Sequence, residues 1–156
     1  MTWEPGHERV RELIDAGEVD RVTPDLTIAS RMLEDAGRHL ATASAAKVAG
    51  DLSGAYQLAY DALRKSAASL LEAQGLRATS RGGQLAVQEV VTAQFGATVR
   101  VFRSFGRIRR ARNSFEYPSS NSPGPVADDI DDAIAVATRA REAATTILDQ
   151  NVLSRW

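Results

Sequence analysis

Arginine is concentrated in one stretch of the chain, residues 100 to 118. The stretch reads RVFRSFGRIRRARNSFEYP and contains six arginines, with no acidic residue before Glu116. Guanidinium groups bind phosphate through paired, charge-assisted hydrogen bonds. In a chain of formal net charge −1, such a cluster indicates a local site for anions, including the phosphates of nucleic acids.

A helical wheel separates this stretch into two faces. The polar face carries Arg100, Arg103, Arg107 and Arg110. The opposite, apolar stripe carries Val101, Phe105, Ile108 and Phe115. Arg112 falls inside the apolar stripe, where an arginine must find partners for its charge and its five N–H donors. Glu116, one helical turn later, is the nearest candidate partner.

Arg112 therefore has two interpretations. In the first, Arg112 and Glu116 form a structural ion pair. In the second, Arg112 stabilises a phosphate in its transition state, while Asn113 and Tyr117 position a ribose hydroxyl or a leaving group. A further set of arginines is expected either to follow a nucleic-acid backbone or to form only a solvated surface. The set comprises Arg103, Arg107, Arg109 and Arg110.

Other chemistry has less support in the sequence, and we expect no metal and no cofactor. The chain has no cysteine, and its two histidines, His7 and His39, fall in different predicted elements. The acidic run at residues 128–132 suits a helix N-terminus better than a divalent ion. The loop LRATSRGG at residues 76–83 lacks both the preceding strand and the Lys-Ser/Thr of a phosphate-binding P-loop, so an interhelical connection is favoured.

The apolar periodicity predicts an all-α fold, an antiparallel bundle of four or five main helices, and no strand-like alternation stands out. The main helices are predicted over residues 26–49, 51–74, 84–94, 98–115 and 126–149. Residues 1–23 are predicted to form a short helical arm, over residues 8–16, and a connector, either docked or loose. The bundle then covers residues 24–150, and residues 151–156 form a tail.

The motif RRARNSFEYP, preceded by GAYQLAYDALRKSAASLLEAQGLR, resembles the HEPN family, the higher-eukaryote and prokaryote nucleotide-binding helical bundles. The resemblance covers roughly residues 24–148. It implies a metal-independent endoribonuclease whose Arg112 and Asn113 match the arginine and polar residue of the family motif, with Tyr117 in the histidine place. It also implies a homodimer acting as a toxin or stress effector, with RNA or nucleotide bound and an antitoxin or nucleotidyltransferase as partner. The alternative is a non-catalytic binding module for nucleotide, RNA or protein.

The remaining expectations concern location. The start MTWEPGHERV lacks the basic and then apolar run of a signal peptide, and no apolar run is long enough to span a bilayer. We therefore expect a cytoplasmic protein that does not enter a membrane.

Overall fold

The computed structural model describes residues 3–156, and Met1 and Thr2 of the predicted arm lie outside the described residues. The described part contains six α-helices, one 3-10 helix and two short strands. In chain order they are α1 His7–Asp15, β1 Val19–Arg21, α2 Leu26–Val48, α3 Leu52–Gln74, β2 Leu76–Ala78, α4 Gly83–Phe95, the 3-10 helix Arg100–Ser104, α5 Phe105–Glu116 and α6 Ala127–Asp149. Helices make up 70% of the chain, so the predicted all-α bundle is confirmed.

Helix α3 is the centre of the bundle. It packs against α2 and α6 along its length and against α4 and α5 on its remaining side. Four of its alanines, Ala55, Ala59, Ala62 and Ala67, are fully buried and allow neighbouring helices to approach closely. From Leu70 to Gln74 every residue is buried. Because α3 touches four helices, its side chains take part in most of the surfaces where a site can form.

The ends of the long helices follow local signals in the sequence. Asp25 accepts a hydrogen bond from the backbone N–H of Ile28 at 3.0 Å, and Asp51 accepts one from Gly54 at 2.9 Å. Such N-caps satisfy backbone donors that the helix itself leaves unpaired. Gly50, in the left-handed region, then turns the chain between α2 and α3, which makes these two helices antiparallel neighbours.

The opening segment is docked against the bundle. In α1, Val10 and Leu13 are buried, and Arg9 forms an ion pair with Glu89 of α4 at 2.6 Å. The indole Nε1 of Trp3 donates to the backbone oxygen of Gln94 at 3.2 Å. The arm was predicted to be either docked or loose, and the contacts of residues 3–16 show that it is docked.

The structure adds two short strands to the predicted all-α bundle. β1 and β2 form a two-stranded antiparallel ribbon in which Val19, Asp20 and Arg21 pair with Ala78, Arg77 and Leu76. They lie within segments that the sequence predicts as a connector and an interhelical loop. Each strand has three residues, which is too short to show the alternation that predicts a strand.

The arginine helix predicted over residues 98–115 is also corrected. Its first part is a turn followed by the 3-10 helix, and regular α-helix begins only at Phe105. A 3-10 helix turns 120° per residue rather than 100°, so the faces shift. Phe102, which the wheel leaves outside the apolar stripe, is consequently fully buried.

Candidate phosphate-binding groove

Arg112 is held by side chains from two helices. Its Nε donates to Oε1 of Gln57 in α3 at 2.8 Å, and its Nη1 donates to Oδ1 of Asn113 at 3.0 Å. The same Nη1 lies 2.6 Å from Oε2 of Glu116, the ion pair that the i,i+4 spacing predicts. The two hydrogen bonds use two of the five guanidinium N–H groups, and none of the three contacts involves Nη2. The side chain is only 16% exposed, so its position is fixed.

Arg112 lines a groove of about 410 Å³ between the start of α3 and the end of α5. Gln57 and Glu116 line the same groove, and Pro118 continues its wall. Its apolar floor is formed by Phe115, whose ring packs edge-to-face on that of Tyr56 with centroids 4.9 Å apart. The groove thus combines a fixed cation, a carboxylate, an amide and an aromatic surface.

Of the three predicted catalytic residues, the structure brings two together. Asn113 is half-buried beside Arg112 and is bonded to it. Tyr117 follows the end of α5, and its side chain is 74% exposed. It is not among the residues that line the groove. Pro118 prevents a further helical turn of α5.

The four arginines predicted to bind nucleic acid make different contacts in the structure. Arg107 forms two contacts with the carboxylate of Asp132 in α6, at 2.5 and 3.4 Å. Arg103 donates from Nε to the backbone oxygen of Gly96 at 2.5 Å, which ties the 3-10 helix to the end of α4. Arg109 donates to the neutral amide of Gln88 at 2.8 Å. Arg110 is exposed. The face predicted to bind nucleic acid is therefore partly neutralised at Arg107.

Three residues of the site come from α3, and the sequence-based prediction missed them. Gln57 bonds Arg112, the ring of Tyr60 lies under it with the guanidinium carbon 5.6 Å from the centroid, and Arg64 follows one turn later. The available signal was a row of polar residues at the spacing of one helical face, Gln57, Asp61 and Arg64.

Burial raises the pKa of the Tyr60 phenol to about 12, and the positive charges of Arg64, Arg109 and Arg112 oppose that rise. Burial also raises the pKa of Tyr56 to about 12, with a further contribution from the carboxylate of Asp132. Both effects keep the phenols neutral at physiological pH. Tyr56 and Tyr60 are therefore packing and hydrogen-bonding groups in the folded chain, not bases.

We expect the free energy of unfolding to fall as the pH rises from about 10 to about 12. In the folded state the pKa values of Tyr56 and Tyr60 are about 12, whereas an unfolded tyrosine has a pKa of about 10. Between these values the unfolded state has released protons that the folded state keeps, which favours unfolding. Urea titrations across this window measure the loss. A variant with Tyr56→Phe and Tyr60→Phe should lose less; an equal loss would contradict the assignment.

The acidic run at residues 128–132 has structural partners. Asp129 accepts a hydrogen bond from the backbone N–H of Val126 at 2.8 Å and caps α6. Asp131 pairs with Lys47 at 2.5 Å, and Asp132 pairs with Arg107. Among residues 3–156, no group of three or more histidine or acidic side chains is arranged to hold a metal ion.

Within the same described residues, no helix has both the length and the hydropathy to cross a bilayer. Comparisons of this chain with protein-family models, with curated proteins and with solved structures find no match.

Proposed function

We propose that this chain is a HEPN-like, RNA-binding protein and that the Arg112 groove holds a phosphate of RNA or of a nucleotide. The proposal rests mainly on the contacts that the Arg112 guanidinium makes. It is fixed by Gln57, Asn113 and Glu116 in a groove, while Nη2 takes part in none of these contacts. A phosphate oxygen that enters the groove meets a donor already in place, at little cost in side-chain entropy.

The surroundings of Arg112 suit a nucleotide. Phe115 gives the groove an apolar surface against which a base or ribose can pack. Ser53 and Gly54, from the first turn of α3, also line the groove. Gln57, which lines the groove, supplies an amide NH₂ for hydrogen bonds to hydroxyls or base edges.

Metal-independent RNA cleavage is the second candidate, and the position of Glu116 favours it. Its carboxylate lies 2.6 Å from Arg112 in the same groove. We propose that Glu116 takes the proton of a ribose 2′-hydroxyl, whose oxygen then attacks the adjacent phosphorus. The bond from phosphorus to the 5′ oxygen breaks, and that oxygen accepts a proton from water. Arg112 stabilises the charge that develops on the phosphate. The products are a 2′,3′-cyclic phosphate and a 5′-hydroxyl.

The resemblance to HEPN proteins also supports a biological setting. We propose that the chain acts as a homodimer, with the two Arg112 grooves facing one cleft. In that setting it serves as the toxin of a toxin-antitoxin pair or as a stress or antiviral effector, with an antitoxin or a small nucleotidyltransferase as its partner. Sedimentation of the purified chain tests the dimer directly, and a monomer at micromolar concentration would oppose it.

The variant Glu116→Gln separates binding from cleavage. Wild type incubated with single-stranded RNA in EDTA should bind it and produce fragments with cyclic phosphate ends. Glu116→Gln removes the base and should lower the cleavage rate by about 100-fold or more. It should bind RNA at least as tightly as wild type, because the carboxylate that competes for Arg112 is gone. Glu142→Gln, which changes an exposed glutamate on α6, is the matched control.

The outcomes divide the candidates clearly. If wild type binds RNA and leaves it intact, the chain is a binding module without catalytic activity. If cleavage persists in Glu116→Gln, the assignment of the base is wrong. If wild type binds no RNA even at low salt, where phosphate contacts are strongest, the proposed function itself is overturned.

A further inference from the structure

Tyr60 connects the Arg112 groove to a second part of the surface. Its ring is fully buried, and its hydroxyl donates to Oε1 of Gln84 in α4 at 2.7 Å. One face of the ring carries Arg112, with the guanidinium carbon 5.6 Å from the centroid. Tyr60 therefore joins α3, α4 and α5 at one point, next to the groove.

Two further arginines act on the same phenol. Arg64 in α3 and Arg109 in α5 each oppose, through their positive charge, the rise that burial causes in the pKa of Tyr60, as Arg112 does. Arg109 bonds Gln88, one helical turn after the Gln84 that Tyr60 bonds, and Arg64 lies one helical turn after Tyr60 in α3. The three arginines come from two different helices, so the cluster exists only in the folded chain.

The charges in this cluster are incompletely neutralised. Arg64 pairs with Asp61 of the preceding helical turn at 3.2 Å. Arg109 is half-buried, and its hydrogen bond goes to the uncharged amide of Gln88. A cation that is half-buried without a carboxylate gains more from an added anion than a cation in bulk water does. Arg109 is thus suited to bind an anionic ligand.

A second hollow lies beside this cluster. It has a volume of about 230 Å³, and Arg64, Thr79 and Gln84 are among its lining residues. Gln57, in the Arg112 groove, and Arg64, in the second hollow, are both in α3. Their separation of seven residues corresponds to about 10 Å along a helix. A few nucleotides of extended single strand can span that distance.

We infer that a single strand of RNA runs from the Arg112 groove past Tyr60 to Arg109 and Arg64, with successive phosphates held along this line. The inference rests on the proposed function and extends it to the substrate class. Single-stranded RNA fits because its bases can turn into separate hollows and meet the glutamine amides, whereas the bases of a duplex are stacked inside it. This line is distinct from the polar face predicted at Arg103, Arg107 and Arg110.

Binding of short 2′-O-methyl oligouridylates tests the inference, because they lack the hydroxyl that cleavage needs. Arg64→Gln and Arg109→Gln should each reduce the slope of log affinity against log salt by about 0.7, the value for one phosphate contact to a single strand. Arg64→Lys and Arg109→Lys keep the charge and should keep the slope. Arg139→Gln, which changes an exposed arginine on α6, should leave the slope unchanged.

Oligonucleotide length gives an independent readout. Wild type should bind more tightly as the probe is lengthened from a dinucleotide to a hexanucleotide, and Arg64→Gln and Arg109→Gln should lose that gain. Arg112→Gln should weaken even the dinucleotide, which tests the proposed function separately. Wild-type slopes and length dependence in both glutamine variants would overturn the single-strand path and leave the Arg112 groove intact. Tighter binding of a duplex of equal length would overturn it as well.

Discussion

Arg112→Ala should lower the affinity for single-stranded RNA by about 10- to 100-fold, and it should also destabilise the fold. The loss of affinity follows from removal of charge-assisted hydrogen bonds to phosphate, each worth about 1.5–3 kcal/mol. If the chain cleaves RNA, the rate should fall by a further factor of about 100, because the developing charge on the phosphate loses its stabiliser.

The loss of stability has a separate cause. Alanine at position 112 leaves the Gln57 amide and the Glu116 carboxylate without their partner. It also uncovers the face of Tyr60 on which the guanidinium lies. Gln57 is half-buried, and loss of its hydrogen bond to a charged group costs about 1.5–3 kcal/mol, to which the lost packing adds. Because Glu116 is 39% exposed, water replaces part of its lost contact, and we expect a total loss of about 2 kcal/mol in urea unfolding.

Two control variants separate site-specific effects from general electrostatics. Arg110→Ala removes an exposed arginine from the same helix and should change RNA affinity less than about threefold, as expected for one charge on an already mixed surface. Arg112→Lys keeps the charge but loses the planar fork, so it should restore most of the stability and little of the RNA affinity. Equal losses in Arg110→Ala and Arg112→Ala would show that the groove has no special role.

The long helices could be predicted from sequence because their signals are local. The first long helix, predicted over residues 26–49, is observed as Leu26–Val48, and the last, predicted over residues 126–149, is Ala127–Asp149. Apolar spacing, an aspartate cap and a glycine stop all lie within or next to the helix they define. Such elements require no knowledge of the rest of the chain.

The parts that could not be predicted depend on distant contacts. The strand pair joins residues 19–21 to residues 76–78, and three-residue strands have no periodicity of their own. The 3-10 geometry of Arg100–Ser104 accompanies the bond from Arg103 to the backbone of Gly96 and the burial of Phe102. A wheel with a fixed angle of 100° cannot show that change of phase.

In the candidate site, too, local contacts could be predicted and contacts between helices could not. The pairing of Arg112 with Glu116 follows from their spacing on one helix, and the structure contains it. The contributions of Gln57 and Tyr60 depend on how α3 lies against α5, which no local pattern specifies. The exposed position of Tyr117 likewise depends on where α5 ends relative to the groove.

Gly75→Ala should cause a larger loss of stability than Gly50→Ala, the same substitution at the glycine that follows α2. Gly75 ends α3 in the left-handed region, with φ +75°, where an alanine costs about 1–2 kcal/mol. An added Cβ would also lie 2.4 Å from the backbone oxygen of Val22 and 3.0 Å from the ring of Pro24. The Val22 backbone cannot move freely, because its N–H donates to the Gly75 oxygen at 2.8 Å beside the strand pair.

Gly50→Ala provides the matched control for that effect. Gly50 has a similar left-handed φ of +86°, and a Cβ there would meet nothing within 4 Å, so its substitution carries the conformational cost alone. We expect a loss of about 1–2 kcal/mol for Gly50→Ala and of about 3 kcal/mol or more for Gly75→Ala. The second loss corresponds to a fall in Tm of about 6–12 °C for a chain of this size. The excess loss of Gly75→Ala arises from the approach of Gly75 to Val22. If Gly50→Ala and Gly75→Ala lose the same stability in urea and thermal unfolding, the connector and the end of α3 are not held together as the structure shows.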